Sequence, residues 1–162
     1  MIKKRELRKK QIEKKISDIL ESVRIIEENL PEEFEDFSNS GLIKDGIYKK
    51  IEFVIESVID ICNIINSDLR LGMPEDEDAI LKNLKNIFKP STIELIEEMK
   101  RFRNILVHRY GQIEDLRAFE TIKDGLQDFE TIIKNFEEFL EENWELLRNP
   151  RYNILIGVQK LK

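Results

Sequence analysis

Between Ile51 and Ile65 the polar residues Glu52, Glu56, Asp60 and Asn63 recur every three or four positions, and apart from Ser57 all the others are apolar. At the helical repeat these four fall within a stripe about 80° wide. A helix polar along so narrow a strip must be covered on its other sides. It is the centre of a helical bundle, or it faces both a core and a partner subunit. The same four residues exclude a membrane-spanning helix, because no uninterrupted apolar run of sufficient length remains. Cys62 lies on the apolar side and reads as a small buried hydrophobe.

The rest of the chain repeats the helical period. From about residue 4 to Asn29, Ile12, Ile16, Ile19, Leu20, Val23, Ile26 and Leu30 form one apolar face, and Pro31 breaks the helix. Residues 31–41 read as a turn or a single helical turn. A second helix covers about Leu42 to Leu69 and ends before Gly72-Met73-Pro74. A third runs from about Glu75 to Phe88 and is stopped by Pro90. Ser91-Thr92-Ile93-Glu94 has the form of a capping box and predicts the start of a fourth, ending near Tyr110-Gly111. A fifth, from about Glu114 to Leu147, carries the stripe Leu116, Phe119, Ile122, Leu126, Phe129, Ile133, Phe136, Leu140, Trp144 and Leu147. Gly125 interrupts it as a mild flaw or a close-packing point. The expected organisation is one helical domain over residues 1–148 and a basic tail over 149–162. Within the tail, Ile154-Leu155-Ile156 reads as a short strand or a docking segment.

Composition narrows the class. Six glycines and four prolines in 162 residues are too few for the many turns of an all-β fold. One cysteine excludes an intrachain disulfide and a cysteine-based zinc cage, and it favours a reducing, cytoplasmic setting. The first fifteen residues lack the apolar core of a signal peptide. The net charge is −6, yet residues 1–15 carry eight basic and two acidic side chains, and residues 16–40 carry one basic and eight acidic. Two readings fit this segregation: solvated helix faces, or a basic patch that meets nucleic acid in an otherwise acidic protein.

The segment Glu98 to Gly111, EMKRFRNILVHRYG, holds the only histidine. On a helical wheel Leu95, Met99, Phe102 and Leu106 make the core stripe. Arg103 flanks it, and Asn104 and His108 sit about 100° and about 140° from Arg103, away from the core. An outward face that mixes Asn and His with Ile105 and Val107 suits a cleft or a subunit interface. Histidine ordinarily titrates near neutrality, as a general acid–base requires.

The string Arg103-Asn104-Ile105-Leu106-Val107-His108-Arg109-Tyr110 resembles the Arg-x4-His-x-Tyr signature of HepT-like toxins, HEPN-domain ribonucleases of prokaryotic toxin–antitoxin pairs. Ile47-Tyr48-Lys49-Lys50, Ile59-Asp60-Ile61, Gly72-Met73-Pro74 and the long helix after the motif are similar too. Together the likeness covers residues 1–140. It implies an all-α, up-and-down bundle of four or five helices that forms a homodimer. Two copies of the motif would meet across the dimer cleft as one metal-independent RNase site that needs no cofactor. The resemblance also implies roles. His108 would be the general base or acid, Arg103 would hold the scissile phosphate, and Asn104 would orient a phosphate oxygen or the imidazole. Asp60, from the polar stripe of the second helix, is the carboxylate expected to fix Arg103. Tyr110 would be the residue to which a nucleotidyltransferase antitoxin of the MNT type attaches AMP. Lys100, Arg101 and Arg109 would collect RNA, and tRNA is the substrate expected from the resemblance. Two other readings stand beside it: a non-catalytic HEPN partner of a nucleotidyltransferase, and a helical interaction protein whose histidine is incidental. The intact Arg103–His108 pair favours the nuclease.

Overall fold

The computed structural model describes residues 2–108, 111 and 113–148, with the side chains of 2–7 and 144–148 excepted. Six helices run through them: α1 (Ile2–Asn29), α2 (Phe34–Ser38), α3 (Leu42–Asp68), α4 (Glu77–Leu84), α5 (Pro90–His108) and α6 (Asp115–Arg148). The five long periodic segments each form a helix. Of the two readings of residues 31–41, a turn or a single helical turn, the structure has the helical one, α2, whose Phe37 is fully buried against Tyr48 and Phe119.

The polar stripe behaves as the wheel requires. α3 packs against α1, α2, α4 and α5. It buries Ile47, Ile51, Val54, Ile55, Val58, Ile61, Cys62 and Ile65, while Glu56, Asp60 and Asn63 stay exposed. The enclosure is incomplete: Phe53 keeps 44% of its surface in solvent, Ile64 is partly buried, and Glu52 of the stripe is half-buried. Burial pushes the Cys62 thiol up to about 12, so it is an inert packing group.

Local chemistry sets the helix ends. α3 closes in a Schellman motif, with Leu71 N–H donating to Asn66 O and Arg70 N–H to Ser67 O. Arg70 takes the left-handed position, φ +52°, that glycine usually fills. Gly72 follows at φ +122°, a conformation that a side chain would strain. The fully buried Asn66 ties the loop down. Its Nδ2 donates to Gly72 O (3.0 Å), and its Oδ1 accepts from Asn83 Nδ2 (2.9 Å). α4 then starts at an Asp76 N-cap, whose carboxylate accepts from Ala79 N–H, with Glu77 and Asp78 in its first turn where the helix dipole favours acids.

Three expectations are corrected. α5 begins at Pro90, one residue ahead of the Ser91 capping box, because proline is preorganised for the first helical position. Thr92 is instead buried and accepts from Asn135 Nδ2 of α6 (2.9 Å). Leu20 and Leu116, assigned to apolar stripes, are 44% and 41% exposed, because they lie at the edges of stripes whose centres suffice for packing. The side chains of Trp144 and Leu147, and the whole tail 149–162, lie outside the described residues. No described helix is long and apolar enough to cross a membrane.

Candidate active site

The helices place Arg103, Asn104 and His108 along one open groove. It encloses about 380 Å³ between α3, α4 and the last turns of α5, and Glu56, Ile59, Asp60, Glu77 and Val107 complete its lining. The burial of Met99 and Leu106 fixes the roll of α5, with Leu95 and Phe102 partly buried beside them. That roll sends Asn104 and His108 to the surface and leaves Arg103 at the boundary. An apolar cavity of about 230 Å³ lies on another face of α5, against Ile55, Met99, Phe102, Ile122 and Phe129, and contains none of these three residues.

Arg103 is the most fully bonded of the three. Its Nη1 donates to Glu77 Oε1 (3.0 Å) and its Nη2 to Glu77 Oε2 (2.6 Å), a fork-to-fork pair across α4 and α5. Nη2 also donates to Asn104 Oδ1 (3.2 Å). The hydrogen bond to Glu77, with smaller support from the Glu56 and Glu52 charges, raises the arginine above its usual range against the cost of burial, so it is a permanent cation.

This arrangement overturns the expectation for Asp60. Asp60 lines the groove, but its carboxylate accepts from Lys15 Nζ of α1 (2.8 Å), and the residue that fixes Arg103 is Glu77. Glu77 was invisible to helical periodicity, since its partner lies 26 residues away on another helix. The one signal was the acidic Asp76-Glu77-Asp78 run at a helix start.

The basic residues separate. Lys100 is committed to α4, with Nζ at 2.5 Å from Asp78 Oδ1 and 3.9 Å from Glu77 Oε2. Arg101 is exposed. Arg109 and Tyr110 lie outside the described residues. Lys15 brings the basic N-terminal helix to the rim of the groove through Asp60. Phe53 of α3 and Ile105 and Val107 of α5 leave 44%, 42% and 44% of their surfaces exposed, and Val107 lines the groove.

A second polar cluster ties the start of α3 to the start of α6. Lys44 Nζ donates to Asp115 Oδ2 (2.8 Å) and Tyr48 Oη to Asp115 Oδ1 (2.7 Å). Burial by itself would raise the Asp115 carboxyl. The two hydrogen bonds and the Lys44 charge hold it below the usual aspartate range.

The fold and the sequence have known counterparts. A curated relative, the mRNA nuclease HepT of Shewanella oneidensis, is 26% identical over 99 residues, spanning 60% of this chain and 74% of the relative. A solved structure of a tri-AMPylated Shewanella oneidensis HEPN toxin in complex with an MNT antitoxin is 25% identical. It superposes with a TM-score of 0.71 over 79% of this chain and 97% of that one. A toxin–antitoxin complex with AMP-PNP shares the fold at a TM-score of 0.69 and 24% identity, over 76% of this chain and 95% of that one. The profile of the family described as ribonuclease HepT-like matches residues 19–136, well over half the chain, and with the bundle and its Arg-His groove this protein belongs to that family.

Proposed function

We propose that this protein is the toxin of a HEPN/MNT toxin–antitoxin pair, an endoribonuclease whose groove cleaves RNA by attack of the substrate's own 2′-hydroxyl. The observation that carries the reading is the meeting of Arg103, Asn104 and His108 in one solvent-open groove, in a chain of the HepT-like family. His108 takes the proton from the 2′-oxygen or returns one to the departing 5′-oxygen, a role worth about 10²–10⁴ in rate. Arg103 sets its remaining donors against the charge that builds on the phosphate oxygens. Asn104, bonded to Arg103, orients a phosphate oxygen or the imidazole. The products are a 2′,3′-cyclic phosphate and a free 5′-hydroxyl, and the proton transfer that one His108 does not make falls to the histidine of the second copy across the dimer cleft or to water.

In a single chain the groove carries three carboxylates, Glu56, Asp60 and Glu77. RNA entry therefore calls for added positive charge. A homodimer formed across the exposed Phe53, Ile105 and Val107 brings a second copy of the motif and its cations to the cleft. Arg101, Arg109 and the basic start of α1 collect RNA along the approach. The curated relative is called an mRNA nuclease, whereas tRNA was expected from the family resemblance, so both RNAs belong in any test. Neutralisation works through Tyr110, two residues beyond His108. Each AMP attached there adds bulk and a negative phosphate where an RNA phosphate must dock.

Expression in cells tests the pair. The chain alone is expected to arrest growth, and coexpression with an MNT nucleotidyltransferase and its ATP supply is expected to relieve the arrest. The intact mass then rises in AMP increments, and Tyr110→Phe abolishes both the increments and the relief. Arrest that persists in His108→Ala would contradict the reading.

A further inference from the structure

We propose that Glu77 is a positioning residue of the nuclease site: it fixes the Arg103 guanidinium plane so that a defined set of donors faces the phosphate. The proposal rests on the nuclease reading above.

An arginine carries five N–H donors. Among the described residues three of them are engaged, two by the Glu77 carboxylate and one by Asn104 Oδ1. The Nε–H and the second hydrogen on Nη1 remain for a substrate. Two parallel bonds fix the rotation of the guanidinium as well as its place, which a single bond does not. The side chain is only 11% exposed, so its position is set before RNA arrives.

Glu77 is itself held on rigid elements. The Asp76 cap starts α4, and the Asn66–Gly72–Asn83 bonds anchor the preceding loop. A site supported in this way keeps its geometry. The groove also contains an alternative for the arginine. Glu56 and Asp60 line it, and the Glu56 charge already favours the cation. Without Glu77 the guanidinium is free to turn towards the α3 side. The loss is then one of orientation, to which rate is sensitive: a displacement near 1 Å costs about 10²-fold.

The test compares the full-length protein with Glu77→Gln, Asp78→Asn, Arg103→Ala and the double variant Glu77→Gln/Arg103→Ala. Single-turnover cleavage and RNA affinity are measured separately, with ¹⁵N NMR of the Arg103 Nη–H groups on the RNA-free protein. Glu77→Gln is expected to lower the rate at saturating RNA by about 10- to 100-fold. Its affinity should stay within about threefold, because a groove carboxylate is lost as the arginine loosens. The double variant should be no slower than Arg103→Ala, the mark of two residues acting as one unit. Asp78→Asn removes the neighbouring ion pair of the same helix junction and is expected to cleave normally. In the NMR spectrum, Glu77→Gln should lose the protected, separately resolved Nη–H resonances that the parent shows.

Wild-type cleavage by Glu77→Gln, multiplicative losses in the double variant, or equal losses in Glu77→Gln and Asp78→Asn would overturn the proposal. A parent protein that cleaves no RNA would defeat the nuclease reading instead. The Arg103 resonances would still decide whether Glu77 fixes the guanidinium, and unprotected resonances in the parent would overturn that as well.

Discussion

Two of the charge clusters that bridge helices in this protein differ in what they leave unused. In one, Asp115 of α6 accepts from Lys44 and Tyr48 of α3, and each carboxylate oxygen has a donor. In the other, Glu77 of α4 takes two bonds from Arg103 of α5, yet the arginine keeps donors and lines an open groove beside His108. The first cluster closes a seam between helices. The second holds a cation in place and still presents it. Unspent hydrogen-bonding capacity at a groove, rather than the ion pair itself, separates a site from a staple, since arginine pairs are common in both roles.

Substitutions break this contrast in order of size. His108→Ala is expected to cut RNA cleavage by about 10²–10⁴ while the melting temperature stays near that of the parent, because the side chain is exposed. Single-turnover cleavage with thermal unfolding checks both halves. In the staple the effects exchange places. Tyr48→Phe removes a hydrogen bond to a charged group and is expected to cost about 1.5–3 kcal/mol in denaturant unfolding. Cleavage by the folded fraction should stay unchanged.

The staple also has a pH signature. Asp115 is held below the usual aspartate range, so the folded state favours its ionised form. The stability this supplies is complete above the unfolded carboxyl's range, about 3.9, and is lost as pH falls through the lowered folded value. Asp115→Asn should flatten the acid limb of the stability curve, as denaturation between pH 2 and about pH 6 would show.

Smaller effects sharpen the comparison. Arg101 is exposed whereas Lys100 is paired with Asp78, so Arg101→Gln should weaken RNA binding and reduce the salt slope by about 1. Lys100→Gln, whose charge is already paired, should change both much less. A filter-binding titration across salt concentrations separates the two. Least of all, Gly125→Ala should stabilise the protein by up to about 1 kcal/mol, because an added Cβ meets only Asp128 Oδ2 at 3.8 Å. The sequence left open a close-packing role for Gly125, and a fall in stability would restore it.

Much of the fold was legible because one period governs it. The enclosure of α3, the outward turn of Asn104 and His108, and the breaks at Pro31 and Gly72 all follow from spacing and from proline and glycine chemistry. Periodicity assigns a side chain to a face but does not choose its partner across the bundle. It therefore pointed to Asp60 for Arg103, where the structure has Glu77, brought in by a short helix whose position depends on the loop bonds of Asn66. Leu20 and Leu116 were misjudged for the same reason: a wheel marks the apolar arc, and the neighbours decide how much of it is covered. The motif's last two members, Arg109 and Tyr110, were read from resemblance, and their roles remain proposals.

The central claim is that the Arg103–His108 groove cleaves RNA without a metal. Purified protein, with Tyr110 shown unmodified by mass, should be incubated with tRNA and mRNA in EDTA beside His108→Ala, and the new 3′ ends analysed. Cleavage that persists in EDTA, leaves a 2′,3′-cyclic phosphate and disappears in His108→Ala is the predicted result. No cleavage of either RNA by the unmodified protein, or equal cleavage by His108→Ala, would contradict it.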